Sequence, residues 1–204
     1  MRLTLWCHGS TPAVRAASFP DDEPLDPYGR TGAEEIAPTL GRLDRVHTAG
    51  SRRCRETAAA AGLPAVDEPT LQGCDHGDWT GRTIEEVAAL DPAGLRAWLH
   101  DPHAAPHGGE SLAAVIARVG AWVESRTGAE AGAAEEGAPA GRAPADGSER
   151  LLLAVVDPVV ARAAVVHALG APPAAIRRVE LAPLARTLLV GGPGRWALRA
   201  VAVV

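Results

Sequence analysis

The run Leu151-Leu152-Leu153-Ala154-Val155-Val156 is apolar at every position and stops at Asp157-Pro158. Such a run reads as a fully apolar strand, which needs cover on both faces. A second run, Arg2 to Trp6, reads as a short buried strand and breaks off at Cys7-His8-Gly9-Ser10-Thr11-Pro12. Leu43 to Thr48 reads as another strand, and two closing strands lie near 180–190 and 195–203. Helical spacing runs through Ala33, Ile36 and Leu40, over Arg52 to Gly62, and over 83–90, 93–100 and 110–126. A further helix spans Val159 to Leu169. This alternation predicts an α/β fold, a three-layer sandwich whose mostly parallel central sheet carries helices on both faces. At 204 residues the chain is expected to form one domain over 1–204. Within it, 127–149 is composed mostly of Ala, Gly, Glu and Pro without a large apolar residue. Nothing there offsets the entropy of ordering, so a disordered insertion is expected.

Composition narrows the chemistry. A net charge of −5 argues against a nucleic-acid binder held by a basic surface. All 20 Lys+Arg residues are arginine. Schiff-base lysine chemistry and the lysine-dependent phosphate loop are therefore excluded, while every fixed cation is a guanidinium suited to forked contacts with phosphate or carboxylate. No apolar run approaches the ~20 residues of a membrane span, and the apolar start is shorter than the roughly 7–15 residues of a signal-peptide core. With three cysteines and no secretory signal, the expected compartment is the cytoplasm with reduced thiols.

Chemistry-bearing residues cluster where the strands end. His8-Gly9-Ser10-Thr11 follows the first strand, Arg52-Arg53-Cys54-Arg55-Glu56-Thr57-Ala58 opens a helix after the second, and Asp157 ends the apolar run. Gly77-Asp78-Trp79-Thr80-Gly81 and Gly109-Glu110-Ser111-Leu112 lie between. Ends of parallel strands are where open α/β sheets place ligands.

The layout resembles the histidine phosphatase superfamily, whose cofactor-dependent phosphoglycerate mutases are its best-known branch. The resemblance covers almost the whole chain except 127–149. It implies His8 as the nucleophile that takes a phosphoryl group before water removes it. It implies Arg53 as the grip on the phosphate oxygens. Ser10, Thr11 and the loop's backbone N–H groups are candidate further donors.

The chain departs from the family pattern at four positions. The arginine before the nucleophile is Cys7, and the late-strand histidine is Asp157. The acidic proton donor two residues after Leu71 is Gly73, and the serine ahead of the phosphate-binding arginine is Ala49. A carboxylate ~4 Å from a phosphate oxygen costs about 4 kcal/mol at an effective dielectric of ~20, roughly a thousandfold in binding or rate. Burial could protonate Asp157, or it could pair with Arg53 or His8. Arg15 is a candidate to replace the lost guanidinium, and Asp75 or Asp78 the lost acid.

These residues support a phosphomonoesterase-like protein acting on a small phosphorylated metabolite through a phosphohistidine at His8, with reduced or altered activity. Two readings stay open beside it. One is a non-catalytic member of the fold that binds an anionic ligand or partner. The other is a repurposed enzyme using a His8–Asp157 pair for non-phosphoryl chemistry. No cofactor and no metal are expected: Pro102 and Pro106 break any helix that would align His100, His103 and His107, which read as exposed loop residues. Position 13 is Ala where a cysteine phosphatase built on Cys7 would need arginine, so Cys7 reads as a buried thiol. Cys54 and Cys74 fail the same count. His76 is expected at the pocket rim, Gly192-Pro193-Gly194 as a hairpin turn, and the tryptophans at 6, 79, 98, 122 and 196 mainly in the core.

Overall fold

The computed structural model describes residues 1–126 and 149–202, so the expected insertion at 127–149 lies outside the described residues save for Glu149. Thirteen strands and α-helices succeed one another among them. They are β1 (Arg2–Cys7), α1 (Pro12–Arg15), α2 (Pro27–Ile36), β2 (Arg45–Thr48), α3 (Arg52–Ala60), β3 (Val66–Asp67), α4 (Ile84–Leu90), α5 (Pro92–His100), α6 (Leu112–Ser125), β4 (Leu151–Val156), α7 (Pro158–Ala168), β5 (Arg186–Val190) and β6 (Ala197–Ala202). The strands form a six-stranded sheet in the order β3-β2-β4-β1-β5-β6. Pairing is parallel from β3 to β1, with Leu5 opposite Ala154 and Cys7 opposite Val156. It turns antiparallel at β5 and β6. The turn around Gly192-Pro193-Gly194 joins these last two strands.

The apolar runs dictate this order. β4 and β1 sit at the centre, and Leu3, Leu5, Leu153 and Val155 are fully buried. Helices α2 and α3 pack on each other, as do α6 and α7. The chain steps along the sheet one way through β1, β2 and β3 and back the other way to β4 and β5. Right-handed crossovers therefore put the two helix pairs on opposite faces. α6 buries Leu112, Val115, Val119 and Val123, one stripe at helical spacing, from a start where the Ser111 hydroxyl accepts the Ala114 N–H.

Two elements escape the sequence pattern. β3 has two residues and α1 has four, too few for a period to show. A separate cluster of Phe19, Trp79, Val87 and Leu95, with Trp98 against it, gathers beside the main core. Among the tryptophans, 6, 79, 122 and 196 are buried, whereas Trp98 is half-buried.

Candidate active site

Three neighbouring strands deliver the site. β2, β4 and β1 lie side by side and parallel, so the residues following them meet at one edge of the sheet. His8 follows β1, and its backbone N–H donates to the carbonyl of Val156 in β4 (3.0 Å). Asp157 follows β4 and caps α7, and Arg53 lies in the first turn of α3 after β2. Thr57 ties two of these pieces together. Its hydroxyl accepts the N–H of Gly9 (3.0 Å) and donates to the carbonyl of Arg53 (2.8 Å).

The three side chains close on one another. Asp157 Oδ1 accepts from Arg53 Nε at 2.7 Å and pairs with Arg53 Nη2 at 2.6 Å. The same oxygen lies 3.3 Å from His8 Nε2. The other ring nitrogen, Nδ1, donates to the carbonyl of Gly9 at 2.7 Å. Arg53 Nη1 donates to the backbone carbonyl of Asp21 and lies 3.5 Å from Glu23 Oε2. His8, Arg53 and Asp157 are 3%, 5% and 4% exposed, so water does little to screen these charges. Burial by itself would raise the Asp157 carboxyl. The His8 hydrogen bond and the charges of His8 and Arg53 outweigh it and hold the carboxyl down at about 2. Asp157 is therefore ionised and paired, and protonation by burial, the other outcome open from sequence, does not occur.

Gly73 makes room for this arrangement. A Cβ at position 73 would lie 2.8 Å from Asp157 Oδ2 and 3.1 Å from its carboxyl carbon. The carboxylate of Asp157 thus fills space beside Gly73, where the family pattern has an acidic side chain. Oδ2 itself is buried without a hydrogen-bond partner.

The remaining candidates are engaged elsewhere. The Ser10 hydroxyl donates to Asp26 Oδ2 (2.8 Å), and Thr11 caps α1 by accepting the Val14 N–H (3.2 Å). Arg15 is exposed, with its guanidinium 5.5 Å from the Tyr28 ring. Asp75 and Asp78 are exposed, and Asp75 accepts the Gly77 N–H (2.8 Å) to fix a turn. None of these makes an ion pair or side-chain hydrogen bond to His8, Arg53 or Asp157 among the described residues. Cys7 is fully buried; burial, opposed by the charge of Arg162, raises its thiol to about 12. It supplies neither a cation nor a thiolate. Ala49 is buried in the core.

One expectation is corrected. His100 and His103 are exposed, but His107 is buried at 1%. Its Nδ1 accepts the Gly109 N–H, and its ring lies 5.1 Å from Trp79 and 5.6 Å from His76. The prolines that break the helix fold this loop back onto the aromatic cluster instead of into solvent. His76 is half-buried, 4.9 Å from the Phe19 ring. Burial, then the neighbouring His107, lowers it to about 4, so it is neutral at pH 7. Glu23 is a site residue that sequence reasoning missed, because nothing in Pro20-Asp21-Asp22-Glu23 says which carboxylate turns inward.

Comparison with known proteins fits this geometry. Residues 3–204 match the histidine phosphatase superfamily (branch 1). The chain belongs to that superfamily. A phosphoserine phosphatase 1 of Hydrogenobacter thermophilus is 34% identical over 110 residues, covering 50% of this chain and 52% of that protein. A glucosyl-3-phosphoglycerate phosphatase of Mycobacterium tuberculosis is 34% identical over 125 residues, 57% of this chain and 56% of the relative. The chain thus aligns with little more than half of the curated relatives' length. The solved structure of a mycobacterial glucosyl-3-phosphoglycerate phosphatase superposes with a TM-score of 0.79 at 27% identity, over 97% of this chain and 96% of that one. No helix among the described residues is long and apolar enough to cross a membrane.

Proposed function

We propose that this chain binds a small anionic metabolite and has lost, at neutral pH, the phosphomonoester turnover for which its relatives are named. One observation carries the reading: a buried, ionised Asp157 holds both Arg53 and His8. A phosphate at Arg53 would have to displace that carboxylate, and breaking a buried ion pair costs about 3–5 kcal/mol. The displaced carboxylate would still repel the phosphate by about 4 kcal/mol at an effective dielectric of ~20.

The nucleophile is disabled as well. With Nδ1 donating to the Gly9 carbonyl, Nε2 is the nitrogen that would attack phosphorus, and it faces the Asp157 carboxylate at 3.3 Å where a phosphoryl group would have to sit. A phosphohistidine reaction on a small phosphorylated metabolite is the second reading. It is favoured by the retained loop geometry, in which Gly9 and Thr57 still fix the His8 turn. The three free, buried thiols support the cytoplasm as the compartment.

The test is phosphate release from 4-nitrophenyl phosphate by the purified protein, its His8→Ala variant and the triple variant Cys7→Arg/Gly73→Glu/Asp157→His. We expect wild type and His8→Ala to be equal at pH 7. The rate should not rise down to pH 4, where Asp157 is still ionised. The triple variant should gain turnover of at least tenfold over wild type, since it removes the repelling carboxylate and adds a guanidinium worth ~1.5–3 kcal/mol. A His8-dependent rate in the wild-type protein at pH 7 overturns the proposal in favour of the phosphohistidine reading.

A further inference from the structure

Beside the His8 cluster lies a cavity of about 380 Å³, within the ~300–1,000 Å³ range of small-molecule sites. Its walls include Phe19, His76, Trp98 and Ile176, and its lining carries two cations, Arg162 and Arg177, but no carboxylate. It adjoins the site through α7, where Arg162 follows Asp157 by little more than one turn, and through His76, which feels the charges of Asp157 and Arg53.

Among the described residues neither arginine has an ion-pair partner. Arg162 makes no ion pair or hydrogen bond among the described residues, and its Nε is buried without a partner. Arg177 donates through Nη2 to the backbone carbonyl of Trp98 and stacks 4.8 Å from that indole, but its Nε is also buried and unpartnered. A guanidinium stays charged, so two of them half-removed from water beside aromatic walls favour an oxyanion between them. The walls favour a flat body. Phe19 stands 5.4 Å from Trp98 in an edge-on contact and 4.9 Å from His76 in a tilted one, an arrangement that another ring can extend.

We infer that this cavity binds a ring-bearing organic oxyanion, with its carboxylate or phosphate-type group on Arg162 and Arg177 and its ring against Phe19, His76 and Trp98. This rests on the reading above that the chain binds a small anion without turning it over. It moves the anion from Arg53, which Asp157 neutralises, to two arginines that have no ion-pair partner among the described residues. Arg162 also supplies positive charge close to Cys7, where the family pattern has its missing guanidinium.

The test is a titration of the whole protein, followed by tryptophan fluorescence and calorimetry, because Trp98 lines the cavity. The probes are phenylphosphonate and benzoate, which separate phosphate-type from carboxylate ligands, with methylphosphonate lacking the ring and benzyl alcohol lacking the charge. We expect one of the two ring-bearing anions to bind at least tenfold more tightly than both controls. Arg162→Gln and Arg177→Gln should each weaken it at least tenfold, as expected for a lost charge-assisted contact. Arg162→Lys should retain more of the affinity than Arg162→Gln, which separates loss of charge from loss of fold, and Arg199→Gln, at an exposed arginine outside the cavity, should leave it within threefold. Failure of both ring-bearing anions to bind the wild-type protein overturns the inference. So does binding that falls with His8→Ala but not with Arg162→Gln. Phosphate release from phenyl phosphate, assayed in parallel, reads the earlier proposal alone. His8-dependent release would sink that proposal whatever the titration shows.

Discussion

At the scale of single residues, the decisive pair is Gly73 and Asp157. The two positions exchange space: a carboxylate arrives from β4, and the side chain opposite it disappears. Such an exchange makes their substitutions interdependent. Gly73→Glu alone should destabilise the protein, because the new side chain meets Asp157 Oδ2 at its first carbon and brings a like charge beside it. In an Asp157→His background the same substitution should cost less, with a coupling of about 2 kcal/mol. Urea unfolding of the four proteins in this cycle measures it. Additive costs would show that Gly73 has no special relation to Asp157. The sequence revealed that both positions depart from the family pattern, but not that they touch, since contact between residues so distant in the chain depends on how the 70–73 loop lies over the end of β4. Arg118 fixes that loop: its guanidinium pairs with Glu110 at 2.7 Å and donates to the carbonyls of Thr70 and Gln72 at 2.6 and 3.1 Å.

At the scale of elements, α2 shapes the His8 turn from outside. Asp26 caps it with one oxygen on the Gly29 N–H (2.7 Å) and the other on the Ser10 hydroxyl (2.8 Å). Helix and turn then approach so closely that a Cβ on Gly29 would lie 2.3 Å from the Ser10 carbonyl oxygen. Backbone cannot retreat as a side-chain tip can. Gly29→Ala is therefore expected to cost about 3 kcal/mol or more, at the upper end for overpacking, seen as a lowered thermal midpoint. A near-neutral result would mean that the turn gives way more easily than its hydrogen bonds suggest. From sequence the helical spacing begins only at Ala33, so the place of Gly29 in the first turn of a helix is a finding of the structure. Its partner was not visible, nor was the engagement of the Ser10 and Thr11 hydroxyls with the caps of α2 and α1.

At the scale of the whole molecule, burial of histidines sets the acid limit of stability. His47 in β2 is 4% exposed against Trp122, with its Nε2 unpartnered. Burial, helped by Arg45 and Arg126, lowers it to about 4. Between an unfolded value near ~6.5 and that folded value, the unfolded chain binds the extra proton, so stability is full above about pH 6.5 and falls as the pH drops toward 4. From pH 7 to 4.5 this one group accounts for about 2–3 kcal/mol at 1.36 kcal/mol per unit. Asp157 acts in the opposite sense and in another window. Its depressed carboxyl stabilises the fold above about pH 4 and fails only as the pH approaches 2. Urea unfolding of wild type and His47→Leu at pH 7 and 4.5 tests this. The variant should lose about 2–3 kcal/mol less, and an equal loss would remove His47 as the cause.

The sequence by itself determined the strands and the helices that cover them, while His8 and Arg53 were singled out as site residues by the resemblance to the family and their meeting with Asp157 was left open. Strands and covering helices follow from period, from apolar runs and from the fixed handedness of crossovers, all of which are local or nearly so. Only the tertiary structure decided the state of the site. Whether Asp157 is neutral or ionised depends on balancing burial against two partners drawn from β1 and α3. Whether His107 is exposed, or Arg162 unpaired, depends on which surfaces close over them. Such balances are sums over neighbours brought from remote parts of the chain, and no spacing along it encodes their outcome.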